Sequence, residues 1–129
     1  MVKFLNKDKA YGEIVEIVSK ATSKVVLITP YIKVSDDLFE RLKYMDGKGV
    51  RIVVICREKD LKAEVRNELR KLKNLELRFD DELHAKCFYN ENSMVITSLN
   101  LHQSTQVWCV NFAIFGTFKV PRSCLSLLV

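Results

Sequence analysis

The sequence predicts an α/β domain with a mixed β-sheet flanked by helices. Three observations carry that prediction. Two short apolar runs rich in β-branched residues, KVVLITPYI at 24–32 and VRIVVICR at 50–57, read as buried strands. Segments with apolar residues at helical spacing alternate with them. Beyond residue 80 helical spacing gives way to short strand-like segments joined by turn residues. Crossover connections imply parallel strands first, and the later hairpin implies antiparallel ones.

Residues 8–22 carry Tyr11, Ile14, Val15 and Val18 at helical spacing, with Asp8 as the expected N-cap. The run 24–32 follows as a strand ending at Pro30. Ser35 suits the N-cap of a second helix. Asp36 and Asp37 complement its positive end, and Gly47 or Gly49 ends it. The strand 50–57 leads to a third helix over 58–73, with Leu61, Val65, Leu69 and Leu72 on one stripe. Its charges alternate in sign, as on a solvated outer face. LELRFD at 75–80, HAKCFYN at 84–90, MVITSL at 94–99 and VWCVNFAIFGTF at 107–118 read as four further strands. The apolar end, 119–129, is expected to be a disordered or interface-packed tail.

The chain has 129 residues, the length of one domain, and is 48% hydrophobic and 29% charged. Its net charge of +5 suits an anionic partner such as nucleic acid or a phosphorylated lipid surface. None of the four cysteines forms a CxxC pair or a zinc spacing. Cys56 and Cys87 sit in strand-like runs, as buried reduced thiols of a cytoplasmic protein do. The charged N-terminus is no signal peptide, and no apolar run reaches 18 residues, so no membrane insertion is expected.

The segment LHAKCFYNENSMVITSLN at 83–100 holds the chemistry. His84 and Lys86 are two apart and share a strand face, as do Ser98 and Asn100 if extended conformation continues that far. A three-residue loop at 90–92 sets Tyr89 against Ser93 and His84 against Ser98. All four polar groups then share one face, and Ala85, Cys87, Tyr89, Val95 and Thr97 take the other. A four-residue loop separates the polar groups, so the chemistry favours the shorter one. Imidazole attacks phosphorus or transfers a proton near neutral pH, and ammonium stabilises phosphate charge. Hydroxyl and carboxamide bind the remaining oxygens. No carboxylate cluster suited to Mg²⁺ accompanies them.

His84-x-Lys86, a short hairpin and then Thr97-Ser98-Leu99-Asn100 resembles the HKD motif of the phospholipase D superfamily. That motif runs H-x-K, four residues, D, about six residues, then G-S-x-N. "VVLITPYI" and "VRIVVICR", each before a helix, resemble the first strands of bacterial members, so the resemblance covers most of 8–118. Three positions depart from it. Asn90 or Glu91 stands for the aspartate, which is mostly structural in the family. Thr97 stands for the glycine. Asn111 is the best match for a glutamate that orients the histidine.

The resemblance implies a phospholipase D-like α/β/α sandwich and a metal-independent phosphodiesterase without cofactor. Members combine two HKD motifs in one site, and this chain has one, since His102 lacks a following lysine. A homodimer with a composite site is therefore implied. His84 is then nucleophile in one subunit and acid/base in the other. Lys86 and Asn100 hold phosphate oxygens, and Ser98 supports the phosphate or the histidine. Small single-motif members are mostly nucleases, which makes DNA the expected substrate. Lys24, Lys33, Lys43, Lys48 and Lys86 are candidate groove lysines, and Tyr31 is a candidate substrate contact at a strand end. Exposed aromatics for base stacking are otherwise not evident. The alternatives are a binding or dimerisation module without catalysis, and a lipid phosphodiesterase.

Overall fold

The computed structural model describes residues 2–5, 7–32, 34–97 and 107–111, with side chains between 9 and 96. In chain order these form β1 (Val2–Leu5), α1 (Lys7–Ser19), β2 (Lys24–Ile28), α2 (Asp36–Gly47), β3 (Arg51–Cys56), a 3-10 turn (Glu58–Asp60), α3 (Ala63–Leu69), β4 (Leu75–Phe79), β5 (Lys86–Asn90), β6 (Ser93–Thr97) and β7 (Val107–Asn111). The strands make one mixed sheet in the order β1-β7-β6-β5-β2-β3-β4. β2, β3 and β4 are parallel, and the pairs from β2 to β5 and outward to β1 are antiparallel. The α/β class and the change from parallel to antiparallel pairing match the expectation.

Strand alternation sorts the core into two layers. Val25, Leu27, Ile52, Val54 and Val95 face α1, α2 and α3, where they meet Val18, Leu42 and Leu69. Val26, Ile28, Val53, Ile55, Cys87 and Met94 form a second buried layer on the other face, joined by Leu83. Both faces of the central strands are therefore apolar, which is why their sequences run apolar without alternation.

Ser35 caps α2 as expected, its Oγ accepting the Leu38 N–H at 3.3 Å. The helix ends at Gly47, and Gly49 adopts φ +84°, a conformation that glycine enters without strain. α1 starts at Lys7, so Asp8 lies in its first turn rather than at its cap. Three differences go further. β1 was not expected, because four residues are too few to show a period. It exists through antiparallel pairing with β7. The helix expected over 58–73 is a 3-10 turn followed by the seven-residue α3. Leu61, in extended conformation, separates the two, yet the whole apolar stripe still packs on the core. The last expected strand, 107–118, is described as far as Asn111, and the tail at 119–129 lies outside the described residues.

The third difference is the hairpin register. β5 and β6 pair Lys86 with Thr97, Phe88 with Val95 and Tyr89 with Met94. The loop is therefore two residues, Glu91 and Asn92, rather than three. The one-residue shift moves Val95 and Thr97 to the Lys86 side of the sheet. Asn90 dictates the tight turn: its Oδ1 accepts the N–H groups of Asn92 (2.7 Å) and Ser93 (2.8 Å). Its Nδ2 donates to the Ile17 carbonyl at 2.8 Å, tying the turn to α1 in the buried interior.

Candidate functional site

The connection from β4 to β5 delivers the histidine. β4 is at the sheet edge and β5 lies beyond β3 and β2, so residues 80–85 must cross the carboxyl ends of those two parallel strands. Hydrogen bonds pin the crossing. The Asp80 N–H donates to the Cys56 carbonyl, the last residue of β3, at 3.0 Å. The Glu58 N–H donates to Asp81 Oδ1 at 3.0 Å, and the Glu82 N–H to Asp80 Oδ1 at 3.0 Å. Leu83 is 1% exposed in the second core layer, so it anchors the loop just before the chain enters β5. His84 is exposed beside this anchor and Lys86 is half-buried at the first position of β5.

The same sheet end carries Tyr31. Thr29 is buried, with its N–H on the Ile55 carbonyl and its hydroxyl donating to the Tyr31 carbonyl at 2.9 Å. The Tyr31 side chain is 55% exposed, with the Arg57 guanidinium 4.5 Å from its ring centroid. Arg57 is largely buried and faces Asp60 across 2.9 Å. Pairing of Ile28 with Cys87 brings the end of β2 to the start of β5, so Tyr31, Arg57, His84 and Lys86 gather at one end of the sheet. Open α/β sheets bind ligands at this end of their strands. Arg57 was missed in the sequence. Its only signal was a charge closing an otherwise apolar strand.

At the opposite end, Glu91 closes the hairpin onto the start of β2. Its carboxylate accepts from the Thr22 N–H, the Thr22 hydroxyl (2.7 Å), the Ser23 hydroxyl (3.4 Å) and the Lys24 N–H (3.3 Å). Partial burial raises the Glu91 pKa, but the donors of Thr22 and Lys24 outweigh it and hold it at about 2. Both residues weighed for the motif aspartate thus hold the fold together: Asn90 through its amide, Glu91 through its charge.

Other expectations are corrected by position. Asn111 pairs with Ser93 at the turn end of the hairpin, whereas Lys86 aligns with Thr97 and Val107. His84 lies beyond Lys86, so roughly six residues of strand, on the order of 20 Å, separate it from Asn111. Among the described residues, Lys24, Lys43 and Lys48 lie on separate parts of the surface. Lys43 pairs with Glu40 at 2.9 Å on α2, Lys48 lies over the Tyr44 ring and Lys24 is at the far end of β2. Lys33, Ser98 and Asn100 lie outside the described residues. Exposed aromatics do exist: Tyr11, Tyr31, Tyr44 and Phe79. Among the described residues, no group of three His, Cys, Asp or Glu is placed to hold a metal ion, and no helix is long and apolar enough to cross a membrane.

No curated protein sequence matches the chain closely enough to count as a relative. Solved structures resemble its fold. TrmBL2, an archaeal chromatin protein whose structure shows a novel mode of DNA binding, superposes with a TM-score of 0.67 at 16% identity. The match covers 88% of this chain and 47% of TrmBL2, so the chain spans about half the length of that protein. NucT from Helicobacter pylori gives 0.64 at 14% identity, with 84% and 82% covered. Nuc from Salmonella typhimurium, a phospholipase D family member, gives 0.64 at 15% identity, with 99% and 88% covered. The family model described as cardiolipin synthase, PLD-like domain, matches residues 14–115, and the chain belongs to this phospholipase D-like family.

Proposed function

We propose that the protein is a metal-independent phosphodiesterase that cleaves DNA, with one active site formed from two copies of the chain. The observation that carries this reading is the placement of exposed His84 and adjacent Lys86 where the β4–β5 connection crosses the parallel strand ends. Family membership supports phosphodiester chemistry at the level of the superfamily. The likeness to Nuc and NucT and the net charge of +5 support a polyanionic substrate.

In this mechanism an imidazole nitrogen of His84 attacks phosphorus. The P–N bond forms as the P–O bond to the leaving group breaks, and the partner subunit's His84 gives that oxygen its proton. Water then attacks the phosphohistidine, losing its proton to that same acid/base. The P–N bond breaks, the phosphate monoester leaves and His84 is regenerated. Lys86 and Asn100 hold the non-bridging oxygens, Ser98 supports them, and Tyr31 receives a base.

The test is cleavage of plasmid and single-stranded DNA in excess EDTA by wild type and His84→Ala. Cleavage by wild type alone supports the reading. Equal cleavage by both ends it. A DNA-binding module without catalysis is the second reading, favoured by the likeness to TrmBL2, a chromatin protein with a novel mode of DNA binding, and DNA binding without cleavage by wild type selects it.

A further inference from the structure

The second face of the sheet carries a cationic strip that the catalytic reading does not use. Alternation places Lys24 of β2, Arg51 of β3, Glu76 and Arg78 of β4 and Tyr89 of β5 on this face, with Lys24 and Arg51 at the end away from His84, Glu76 and Tyr89 in the middle and the Arg78 backbone level with Cys87. Lys24, Arg51, Arg78 and Tyr89 line a shallow cleft of about 110 Å³ whose floor is Val26 and Val53. Glu76 lies between the two arginines. Each guanidinium contacts a different oxygen of its carboxylate, with Arg78 Nε at 2.6 Å. Two guanidiniums thus share one carboxylate, and the Arg51 and Arg78 side chains stay 58% and 45% exposed. Each guanidinium has five N–H donors in a planar fork, more than one shared carboxylate takes up. Lys24 Nζ lies 6.0 Å from the Tyr89 ring centroid.

We infer that this strip is a secondary binding site for the sugar–phosphate backbone of single-stranded nucleic acid. The inference rests on the nucleic-acid part of the proposed function. The shared carboxylate draws two guanidiniums together and fixes their planes, which suits successive phosphates. Val26, Val53 and Ile55 are 3%, 5% and 9% exposed, so among the described residues no aliphatic side chain of the cleft protrudes to enter a bilayer. Tyr89 is five residues from His84, roughly 17 Å along an extended strand, so a strand of several nucleotides reaches both places. The strip holds the polymer while the sheet end engages one phosphate, and it acts on binding of long substrates rather than on bond cleavage.

The test is fluorescence anisotropy with a labelled 20-nucleotide single-stranded DNA across a salt series, in a His84→Ala background that prevents turnover. Lys24→Ala/Arg51→Ala/Arg78→Ala is expected to raise Kd at least tenfold. It is also expected to flatten the slope of log Kd against log salt by about 2, since each lost phosphate contact removes about 0.7. Glu76→Gln frees the guanidiniums and is expected to tighten binding, a change that misfolding does not mimic. Unchanged Kd and slope in the triple variant overturn the inference. So does loss of binding to phosphatidylglycerol vesicles with DNA binding intact. With His84 restored, hydrolysis of bis(p-nitrophenyl) phosphate is expected to be the same with and without the strip. Failure of wild type to hydrolyse that small diester counts against the catalytic reading alone, while the DNA titrations still decide the strip.

Discussion

The Arg57 guanidinium lies 4.5 Å from the centroid of the Tyr31 ring while its Nε faces Asp60 Oδ2 at 2.9 Å. A largely buried cation thereby backs one face of a tyrosine that is 55% exposed. A ring held this way offers a pre-oriented platform for a nucleobase. Tyr31→Ala is expected to raise Kd for single-stranded DNA about tenfold, which corresponds to the loss of one stacked base at about 1–3 kcal/mol. Tyr31→Phe keeps the platform and is expected to stay within about twofold of wild type. Equal affinity of wild type and Tyr31→Ala in titrations excludes the platform.

The Arg57–Asp60 contact is an ion pair whose N–H points off the line to the carboxylate. Arg57→Met is expected to strand the half-buried carboxylate and destabilise the fold by about 1–3 kcal/mol. Adding Asp60→Asn is expected to recover part of that loss. Urea unfolding of both single variants and the double variant measures the coupling. Strict additivity would mean that the pair contributes nothing.

Much of this arrangement was legible in the chain. Wholly apolar runs at Val25–Ile28 and Ile52–Cys56 mark strands buried on both faces, and Ser35 marks a helix start, because those signals are local. The hairpin register was not legible. It depends on whether Asn90 ends a strand or opens a loop, and its amide decides that through two turn N–H groups and the Ile17 carbonyl of α1, 73 residues away in sequence. The same one-residue ambiguity propagates to every cross-strand partner. The position of Asn111 opposite Ser93 was hidden for a related reason, since spacing counts residues along the chain and not position along a sheet. Arg57 escaped notice because its relation to Tyr31 joins two strands that no sequence period connects.

Asn90 tests the hairpin directly. Its amide satisfies the Ile17 carbonyl and two turn N–H groups and is 3% exposed. Asn90→Ala leaves those groups without this partner, at an expected cost of about 2–4 kcal/mol. Asn90→Asp restores the acceptor but buries a charge, so it is expected to fall below wild type as well. The midpoint of urea unfolding measures both. A shift below about 0.5 kcal/mol in Asn90→Ala would show that the turn forms without the amide.

Cys56 is buried at the end of β3, and desolvation pushes its thiol up to about 11. The thiolate is the reactive form, so native Cys56 is expected to resist disulfide reagents at pH 8. In unfolded chain its pKa falls to the ordinary range. Its labelling rate, followed by mass spectrometry of peptides, should therefore track the unfolded fraction. Rapid labelling of Cys56 in native buffer would contradict this burial.

Glu91 sets the acid limit of the fold. Its carboxyl is held at about 2, below the ordinary 4.5, because the donors at Thr22 and Lys24 favour the charged form. A depressed folded pKa means that the unfolded chain takes up the proton first as pH falls. The stabilisation is fully present above about pH 4.5 and is lost as pH drops toward 2. Glu91 is exposed, so solvent screening limits the gain, and about 1 kcal/mol at neutral pH is the expected scale. Glu91→Gln keeps the size and loses the charge. It is expected to be less stable than wild type at pH 7, and the gap should narrow at pH 3. Urea unfolding at both pH values provides the comparison. A gap that is the same at pH 7 and pH 3 would show that the charge of Glu91 does not fasten the hairpin to β2.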